Sequence, residues 1–414
     1  MATYKFDTRD IILENGIRLI TIKRDTQIAS VHVGINIGAL YEKKDMRGIA
    51  HFVEHMLFKG TKTRSNEELN YDLECLGGEY NAYTDYKCTV YNTTTLNEEV
   101  ENCIKILGDL VTNSIFPEEQ IEKERNVIIS EVKSGKDDLE DLSFNKINNA
   151  AFIHSPLKCD VIGKESHIKK FKKKDLIDFY KRYYVPNNCV ISIVSNYDHD
   201  YIKKVVELEF GGWIKNNFER PEVGFEKNAN KTIVSHKKDI EQSTVVYLFA
   251  FDKLTKKEEL ALRVLNHKLG ESGNSILFRR LREEKGLAYD VYTSLDLSEK
   301  LKSLYIYTSI SEENVNETLD SIDECIDDII NERISFDDKS IELMKKVFKT
   351  AVASTLEDST DLGNYVVHQA MEGENIYEFV DEMENLNNIN QDDLYDVARK
   401  ILKKPTIHVL LREE

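Results

Sequence analysis

The sequence predicts an α+β protein made of two homologous α/β sandwich domains, each a mostly antiparallel sheet packed with helices. Its 414 residues exceed what one ordinary hydrophobic core organises, so two domains of about 200 residues are expected. A hydrophobic content of 41% is sufficient for such cores. In each half of the chain, strand patterns precede long helical patterns, which favours an α+β sandwich over a doubly wound sheet.

Each half opens with alternating apolar and polar residues, the pattern of half-buried strands. In the first half this pattern covers 18–22 and 30–35, and in the second half it covers 232–235 and 243–248. The two halves therefore begin alike, as the two copies of a repeated domain would.

The two halves also end alike. A helical pattern over 174–183 leads to Pro186 and an apolar strand, and a similar pattern over 392–401 leads to Pro405 and another apolar strand. Both helices contain Asp-Leu-x-Asp followed by a basic pair, at an offset of 218 residues. The repeat indicates an internal duplication.

The duplication divides the chain into two expected domains, 1–212 and 231–414. The segment between them, 213–230, contains many Asn, Lys and Glu residues and no regular apolar pattern. Such a composition is typical of a linker.

The most informative segment is His51-Phe-Val-Glu54-His55. On a helix, residues four apart lie one turn apart on the same face, so His51 and His55 can bind one zinc ion. Glu54 lies on that face as well and is placed to accept a proton from a metal-bound water. The order H-x-x-E-H is the inverse of the commoner metalloprotease motif.

The surrounding residues support a helix at this position. Asp45 is the expected N-cap, and Gly60 follows the last periodic residue, where a C-terminal cap belongs. The two histidines lie nearly opposite the apolar face. That face is formed by residues with helical spacing: Ile49, Phe52, Val53, Met56 and Leu57.

A zinc site requires a third protein ligand, and a second predicted helix supplies acidic residues. Pro117 opens this helix, and Glu124 and Glu131 lie two turns apart on one of its faces. One of them can bind the metal while the other hydrogen-bonds a ligand from behind. Spacing alone does not choose between them, and acidic residues on helices are usually solvated.

The segment from His51 to Thr61 resembles the signature of the inverted-zincin metallopeptidases, the family of pitrilysin, insulin-degrading enzyme and mitochondrial processing peptidase. In that family a glutamate 76 residues beyond the second histidine completes the zinc site, which corresponds to Glu131 here. Another glutamate seven residues earlier supports the site and corresponds to Glu124. The resemblance implies one Zn²⁺ per chain, bound by His51, His55 and Glu131.

Three further segments extend the resemblance over nearly the whole chain. The segment 77–84 is similar to the family's edge strand, on which a peptide substrate binds as an added β-strand. This similarity implies substrate-binding roles for Glu79, Tyr80, Asn81, Ala82, Tyr83 and Thr84. The segment 184–188 resembles the entry to the last strand of the first domain. The segment 282–289 resembles the part of the second domain that supplies Arg282 and Tyr289 to the active site.

The resemblance implies a zinc-dependent endopeptidase that cleaves unfolded peptides or presequence-like segments inside an enclosed chamber. Glu54 would act as the general base, Tyr289 would stabilise the charge that develops on the substrate carbonyl, and Arg282 would fix substrate carbonyls. Gly286 lies between the last two residues, so a helix end or a loop is expected there. Arg282 could instead pair with one of the many acids.

The second half departs from the metal-binding pattern. Its segment resembling the zinc helix, 261–270, contains only His267, for which we expect a structural role. The resemblance implies one half-shell of a clamshell for a chain of this length. A homodimer, or a heterodimer with a related chain, is therefore expected, with Arg282 and Tyr289 acting in cis or in trans.

The composition narrows the choice of partners and compartment. A net charge of −18 disfavours nucleic acid and anionic membranes as partners. Basic peptides would be favoured if the acids line an interior surface, and otherwise the charge serves solubility. No apolar run approaches the length of a membrane span, and the first residues do not resemble a secretory signal. The six scattered cysteines favour a reducing cytoplasm.

Two other functions remain open. Some members of the family are non-catalytic scaffolds or zinc-free partner subunits, and these typically lack one or more motif residues, whereas this chain keeps all of them. A module that captures extended peptides without cleaving them would require no carboxylate at Glu54. The sequence does not select the substrate, or distinguish precursor processing from peptide clearance.

Overall fold

The computed structural model describes residues 5–413, in which contacts group the chain into two compact units. Unit 1 contains residues up to 133 together with 160–222 and 353–378. Unit 2 contains residues 134–159, 223–352 and those from 379 onward. Each unit is built around one β-sheet.

Six of the described strands lie where the sequence patterns predicted them: the four that open and the two that close the sequence repeat. The bounds of the described strands are β1 (Asp7–Ile12), β2 (Arg18–Lys23), β3 (Ile28–Ile35), β4 (Glu79–Thr84), β5 (Thr89–Leu96), β6 (Cys189–Ser195), β7 (Lys231–Lys237), β8 (Ser243–Ala250), β9 (Ala288–Asp296), β10 (Ser303–Ile310) and β11 (Thr406–Arg412).

The helices include the two predicted from the metal motif and the acidic segment. Their bounds are α1 (Ile49–Leu57), α2 (Asn66–Cys75), α3 (Val100–Asn113), α4 (Glu118–Asp137), α5 (Leu139–Ala151), α6 (Glu165–Ile168), α7 (Lys173–Tyr183), α8 (His199–Phe210), α9 (Lys256–Asn266), α10 (Val315–Ile330), α11 (Asp338–Glu357), α12 (Ser359–Glu372), α13 (Glu378–Asn385) and α14 (Gln391–Ile401).

The two sheets have related topologies. The sheet of unit 1 has the strand order β1-β2-β6-β3-β5-β4, and that of unit 2 has the order β7-β11-β8-β10-β9. Without β1, the two orders correspond strand by strand. The pairs β2–β6 and β7–β11 are parallel, and the remaining pairs are antiparallel. The predicted class, two mostly antiparallel sheets packed with helices, is confirmed.

In unit 1, α12 packs on the central strands β3 and β6, while α3 and α8 also contact the sheet. Apolar side chains of the sheet, such as Ile20 and Val190, meet Leu362 and Val366 of α12 in a fully or nearly fully buried cluster. Burying each such side chain stabilises the unit by about 1.5–3 kcal/mol. The core of unit 1 therefore includes a helix that follows its last strand by more than 150 residues in the sequence.

In unit 2, α5 packs on β8 and β11, the strands that correspond to β3 and β6. A larger buried cluster lies between the sheet and the helices α9, α10 and α14, and includes Tyr247, Leu265, Ile322 and Leu394. The corresponding sheet strands of both units are thus covered by a helix taken from the other half of the sequence.

This grouping differs from the continuous domains 1–212 and 231–414 that the sequence predicted. Residues 134–159 join the strands of the second half because α5 covers β8 and β11, and 353–378 join the first half because α12 covers β3 and β6. Residues 213–230, the expected linker, form neither helix nor strand. Within the described range 5–413, no helix is both long and apolar enough to cross a membrane.

Candidate active site

The helix that carries the motif, α1, buries its apolar face completely. Phe52, Val53, Met56 and Leu57 have no measurable exposure, which leaves the face with the two histidines and Glu54 for other groups. The predicted spacing of apolar residues therefore fixes how the motif is presented.

The start of α1 was predicted wrongly, because Gly48 and not Asp45 is the N-cap. Gly48 has a φ of 96°, and a Cβ there would lie 2.3 Å from the Ile162 carbonyl oxygen, so the position requires glycine. Glycine has no side chain to cap the backbone N–H groups at the start of α1. Glu42 caps them, because its carboxylate accepts hydrogen bonds from the Gly48 and Ala50 amides at 2.9 and 2.8 Å. A cap supplied from outside the helix has no local sequence signature.

Glu42 is almost fully buried beneath the start of this helix. Burial raises the pKa of Glu42 to about 7, even though the backbone amides it accepts from and the charge of Arg47 act in the opposite direction. Its carboxylate also lies at the positive end of the helix dipole.

Three predicted ligands come together on one side of α1. The His51 Nε2 and His55 Nε2 atoms lie 3.3 Å apart. One Glu131 carboxylate oxygen lies 3.9 Å from the former and 3.7 Å from the latter. One donor atom from each residue therefore lies within 4.8 Å of the others.

This triangle fits a zinc ion. Zinc–nitrogen and zinc–oxygen bonds of roughly 2.0–2.2 Å at tetrahedral angles imply edges of about 3.4 Å, close to the three distances found here. Two imidazole nitrogens that face each other at 3.3 Å can share either a proton or a bound cation. Two nitrogens and a carboxylate oxygen form a donor set that suits zinc.

Burial lowers the pKa of His51 to about 3, with a further contribution from the neighbouring His55, so the His51 imidazole is neutral. Burial also acts to lower the pKa of His55. That effect is outweighed by the hydrogen bond with Glu124 and the charges of Glu131 and Glu54, so the pKa of His55 is raised. The site concentrates negative charge around two imidazoles, as a cation site requires.

Glu124 lies behind the triangle. Its carboxylate is 7% exposed, accepts a hydrogen bond from the His55 Nδ1–H at 3.1 Å and pairs with the Lys59 ammonium at 2.9 Å. Burial acts to raise the pKa of Glu124, but these hydrogen bonds outweigh it and the pKa is lowered. The Nδ1 proton leaves the His55 Nε2 lone pair free for a metal.

Glu54 is 8% exposed, and one of its carboxylate oxygens accepts a hydrogen bond from the Thr84 hydroxyl at 2.6 Å. Burial raises the pKa of Glu54, and the charge of Glu131 acts in the same direction. The hydrogen bond from Thr84 and the charge of His55 act to lower this pKa but do not outweigh burial. Glu54 precedes the ligand candidate His55 on α1, and its carboxylate interacts electrostatically with His55 and Glu131. A carboxylate held there with a raised pKa is suited to general-base catalysis. Thr84 was predicted only as part of the substrate strand, and its contact with Glu54 was not foreseen.

The predicted substrate strand, β4, is the edge strand of the unit 1 sheet and pairs with β5 on one side. Glu79, Tyr80 and Asn81 are exposed, while Ala82, Tyr83 and Thr84 are half-buried. The outer edge of β4 can therefore accept another strand, and its last residue contacts the general-base candidate.

Arg282 and Tyr289 lie in unit 2. The Arg282 guanidinium lies 5.1 Å from the ring centre of Phe278, within the π-helical segment Phe278–Glu284. The expected helix end is confirmed, because Gly286 adopts a φ of 63°. Tyr289 lies on β9, the edge strand of its sheet; its side chain is 54% exposed, and its hydroxyl hydrogen-bonds the Ser311 hydroxyl at 3.2 Å.

The remaining site prediction concerns His267, which follows α9 in unit 2. Its Nδ1 atom lies 3.7 Å from the Glu271 carboxylate. The described part of unit 2 holds no group of three side chains placed to bind a metal.

The chain matches two family models in sequence. Residues 18–165 match the insulinase family, peptidase family M16, and residues 170–348 match the "Peptidase M16 inactive domain". An uncharacterised zinc protease from Rickettsia bellii is 33% identical over 287 residues, which cover 67% of this chain and 68% of the relative. The uncharacterised zinc protease YmxG from Bacillus subtilis is 29% identical over 396 residues, or 94% of each chain.

The structure agrees with these matches. The crystal structure of a protease from Helicobacter pylori superposes with a TM-score of 0.91 at 20% identity, covering 98% of this chain and all of that one. The chain belongs to the M16 peptidase family. The resemblance to inverted-zincin peptidases is thus confirmed at the level of family and fold.

Proposed function

We propose that this protein is a zinc-dependent endopeptidase that cleaves unfolded peptides. The observation that carries the proposal is the convergence of His51, His55 and Glu131 on one point, with the buried carboxylate of Glu54 beside it. A family description that includes inactive domains makes these particular residues, rather than the fold, the basis for proposing activity.

His51, His55 and Glu131 would hold one Zn²⁺ per chain, which when bound polarises a water molecule and the substrate carbonyl. Glu124 keeps His55 in the tautomer whose Nε2 is free.

Glu54 accepts the proton of the attacking water, while the Thr84 hydroxyl holds one of its carboxylate oxygens at 2.6 Å. The same carboxyl group then delivers the proton to the amine that leaves the cleaved peptide. In our proposal Tyr289 donates its hydroxyl proton in a hydrogen bond to the developing oxyanion, and Arg282 binds a neighbouring substrate carbonyl. Both side chains have donors that are suited to these roles.

The substrate would bind as an extended strand along β4. The outer edge of this strand offers backbone donors and acceptors, and Thr84 at its end links the strand to Glu54. Recognition through the backbone tolerates different side chains and excludes folded proteins that offer no free strand. Given the net charge of −18, basic peptides would be favoured if acidic side chains lie along the bound substrate.

We further propose that the active form is a homodimer or a heterodimer with a related chain, located in the cytoplasm. The cysteines of the described range are all free thiols, which suits a reducing compartment. Mixing Glu54→Gln and Tyr289→Phe variants tests whether the two residues act across a dimer. Recovered activity supports action in trans, and its absence supports action in cis.

The decisive experiment incubates the protein with an unstructured basic peptide of about 20–30 residues, long enough to bind as an extended strand. Products are identified by mass spectrometry for wild type, Glu54→Gln and Glu122→Gln, with and without a chelator. Glu122 lies on α4, is solvent-exposed and pairs with Arg125, so its variant controls for loss of a carboxylate.

Cleavage by wild type and Glu122→Gln, lost on chelation and in Glu54→Gln, is the expected result. The Glu54→Gln protein should still bind zinc, because Glu54 is not a ligand. Intact peptide in every sample despite bound zinc would refute the proposal for the isolated chain and would favour a scaffold or partner-subunit role.

A further inference from the structure

A second group of ligand side chains lies in unit 1, apart from the histidine motif. Asp85 and Cys88 occupy the turn that joins β4 to β5, and His368 lies on α12. One donor atom of each lies within 4.8 Å of the others. Cys88 is 1% exposed, and the other two residues are half-buried, so the group is largely shielded from solvent.

The distances within this group match a metal site. The Cys88 Sγ atom lies 3.5 Å from the Asp85 Oδ2 atom and 3.9 Å from the His368 Nδ1 atom. Zinc–sulfur bonds of about 2.3 Å and zinc–nitrogen or zinc–oxygen bonds of roughly 2.1 Å imply tetrahedral edges of about 3.6 Å. The Cys88 sulfur therefore lies within a few tenths of an ångström of this edge length from each of the other two donors, and all three donors lie within 4.8 Å of one another.

The hydrogen bonds around His368 leave its Nδ1 atom free to bind a metal. The Tyr83 hydroxyl donates its proton to the Asn364 side-chain oxygen at 2.5 Å. It must then accept from the His368 Nε2–H, which lies 2.7 Å away. The neutral imidazole consequently carries its lone pair on Nδ1, the atom that faces the cysteine.

Asp85 is oriented just as firmly. Its Oδ1 atom accepts hydrogen bonds from the Lys87 and Cys88 backbone amides at 2.5 and 2.6 Å, which leaves the Oδ2 atom directed at the Cys88 sulfur. The neighbouring Lys87 ammonium is paired with Glu372. A dication would therefore meet two anionic donors, the carboxylate and a thiolate, whose charges it balances.

The group is poorly suited to act as a thiol nucleophile. Burial raises the pKa of the Cys88 thiol well above its usual value, and the adjacent Asp85 carboxylate raises it further. A nucleophilic cysteine requires the opposite, a lowered pKa and access to a substrate. A bound metal ion would remove the thiol proton without requiring exposure.

We propose that Asp85, Cys88 and His368 form a second metal site, which takes a borderline-soft divalent ion such as Zn²⁺. Its three protein ligands come from the β4–β5 turn and from α12, so the ion connects the edge strand to the helix that covers the sheet. Asp85 and His368 retain partial exposure, through which a water molecule could supply the fourth ligand.

Cobalt substitution tests this proposal, because a thiolate bound to Co²⁺ gives a near-ultraviolet charge-transfer band, whereas the His51, His55 and Glu131 set contains no sulfur. Protein stripped of metal would be titrated with Co²⁺ in the presence of a phosphine reductant, which keeps Cys88 reduced without adding a thiol ligand. The bound metal would be counted by elemental analysis. Wild type is expected to bind two equivalents per chain and to show the band.

Cys88→Ser should bind one equivalent and lose the band, while Cys103→Ser, which alters another buried cysteine of unit 1, should keep both. His55→Ala should keep the band, which separates this site from the proposed active site. Asp85→Asn and His368→Gln provide further variants if Cys88→Ser fails to fold, and each should weaken cobalt binding at least tenfold. One equivalent without a band in wild type, or a band that persists in Cys88→Ser, would overturn the proposal.

Discussion

The most direct test of the site geometry is Glu124→Gln. The Glu124 carboxylate accepts from the His55 Nδ1–H and pairs with the Lys59 ammonium, so both of its oxygens face donors. A glutamine has one oxygen and one NH₂ group, and it can therefore accept from only one of these two partners. Either His55 loses the hydrogen bond that fixes its tautomer, or the ammonium loses its buried partner.

The expected effect follows from the burial of this contact. Removing a partner behind a metal ligand typically weakens metal binding 10–100-fold, which corresponds to about 1.4–2.8 kcal/mol. Because Glu124 is only 7% exposed, water cannot easily replace the lost acceptor, and we expect the upper part of that range. Glu131→Gln should weaken zinc binding still more, since it alters a proposed ligand itself.

The assay is a competition titration of zinc against a chelating dye at constant pH. Glu122→Gln is the matched control, because Glu122 lies on the same helix and pairs with Arg125 at the surface. Thermal unfolding of the metal-free proteins separates loss of affinity from loss of fold. Zinc affinity within threefold of wild type for Glu124→Gln, or an equal decrease in both variants, would refute the role assigned to this carboxylate.

Three further predictions concern other contacts of unit 1. In Gly363→Ala the new Cβ would lie 2.7 Å from the His32 Nδ1 atom, so we expect about 1–3 kcal/mol of destabilisation in chemical denaturation. Glu42→Gln should remove a pH dependence of stability. Burial raises the pKa of Glu42 from 4.5 to about 7, so its stabilising contribution is present below pH 4.5 and is lost as the pH rises through 7, by roughly 3 kcal/mol in total. Thr84→Val should lower kcat roughly fivefold with little change in KM, because Glu54 loses one orienting hydrogen bond worth about 1 kcal/mol.

Each of these variants has an outcome that would contradict the reasoning. Wild-type stability of Gly363→Ala would mean that α12 and β3 separate easily, and Gly212→Ala, where the new Cβ meets no atom within 4 Å, controls for the substitution itself. Parallel curves of melting temperature against pH for wild type and Glu42→Gln, measured from pH 5 to 8, would contradict the raised pKa of the buried Glu42 carboxyl group. An unchanged kcat in Thr84→Val would show that Glu54 is oriented by other groups.

Much of the fold could be predicted because its signals are local. Alternation of apolar residues located β2, β3, β7 and β8, and helical spacing located α7 to within one residue, whereas α1 starts three residues later than predicted. The two-sheet class followed from the repeated pattern. The sequence did not predict that α5 covers the sheet of unit 2 or that α12 covers the sheet of unit 1. The apolar face of an amphipathic helix shows that the helix packs on something, but not on which sheet.

The candidate site shows the same division. The sequence by itself determined that His51, Glu54 and His55 share a helix face, because residues three and four apart on a helix are neighbours whatever surrounds them. Spacing left open which glutamate joins the two histidines; the family resemblance implied Glu131, and the tertiary structure brings Glu131 to the histidines while Glu124 lies behind one of them. Both glutamates project from the same face of α4, about 10 Å apart along its axis, so the position of α4 against α1 makes the choice.

Two other features could not be predicted from any sequence pattern, because they too depend on how distant segments pack. Glu42 caps a helix from outside it, and Cys88 meets His368 across 280 residues of sequence. Local spacing constrains only residues within a turn or two of one another, because their separation is set by backbone geometry. Contacts between distant segments depend on which faces bury each other, and only the packed structure specifies them.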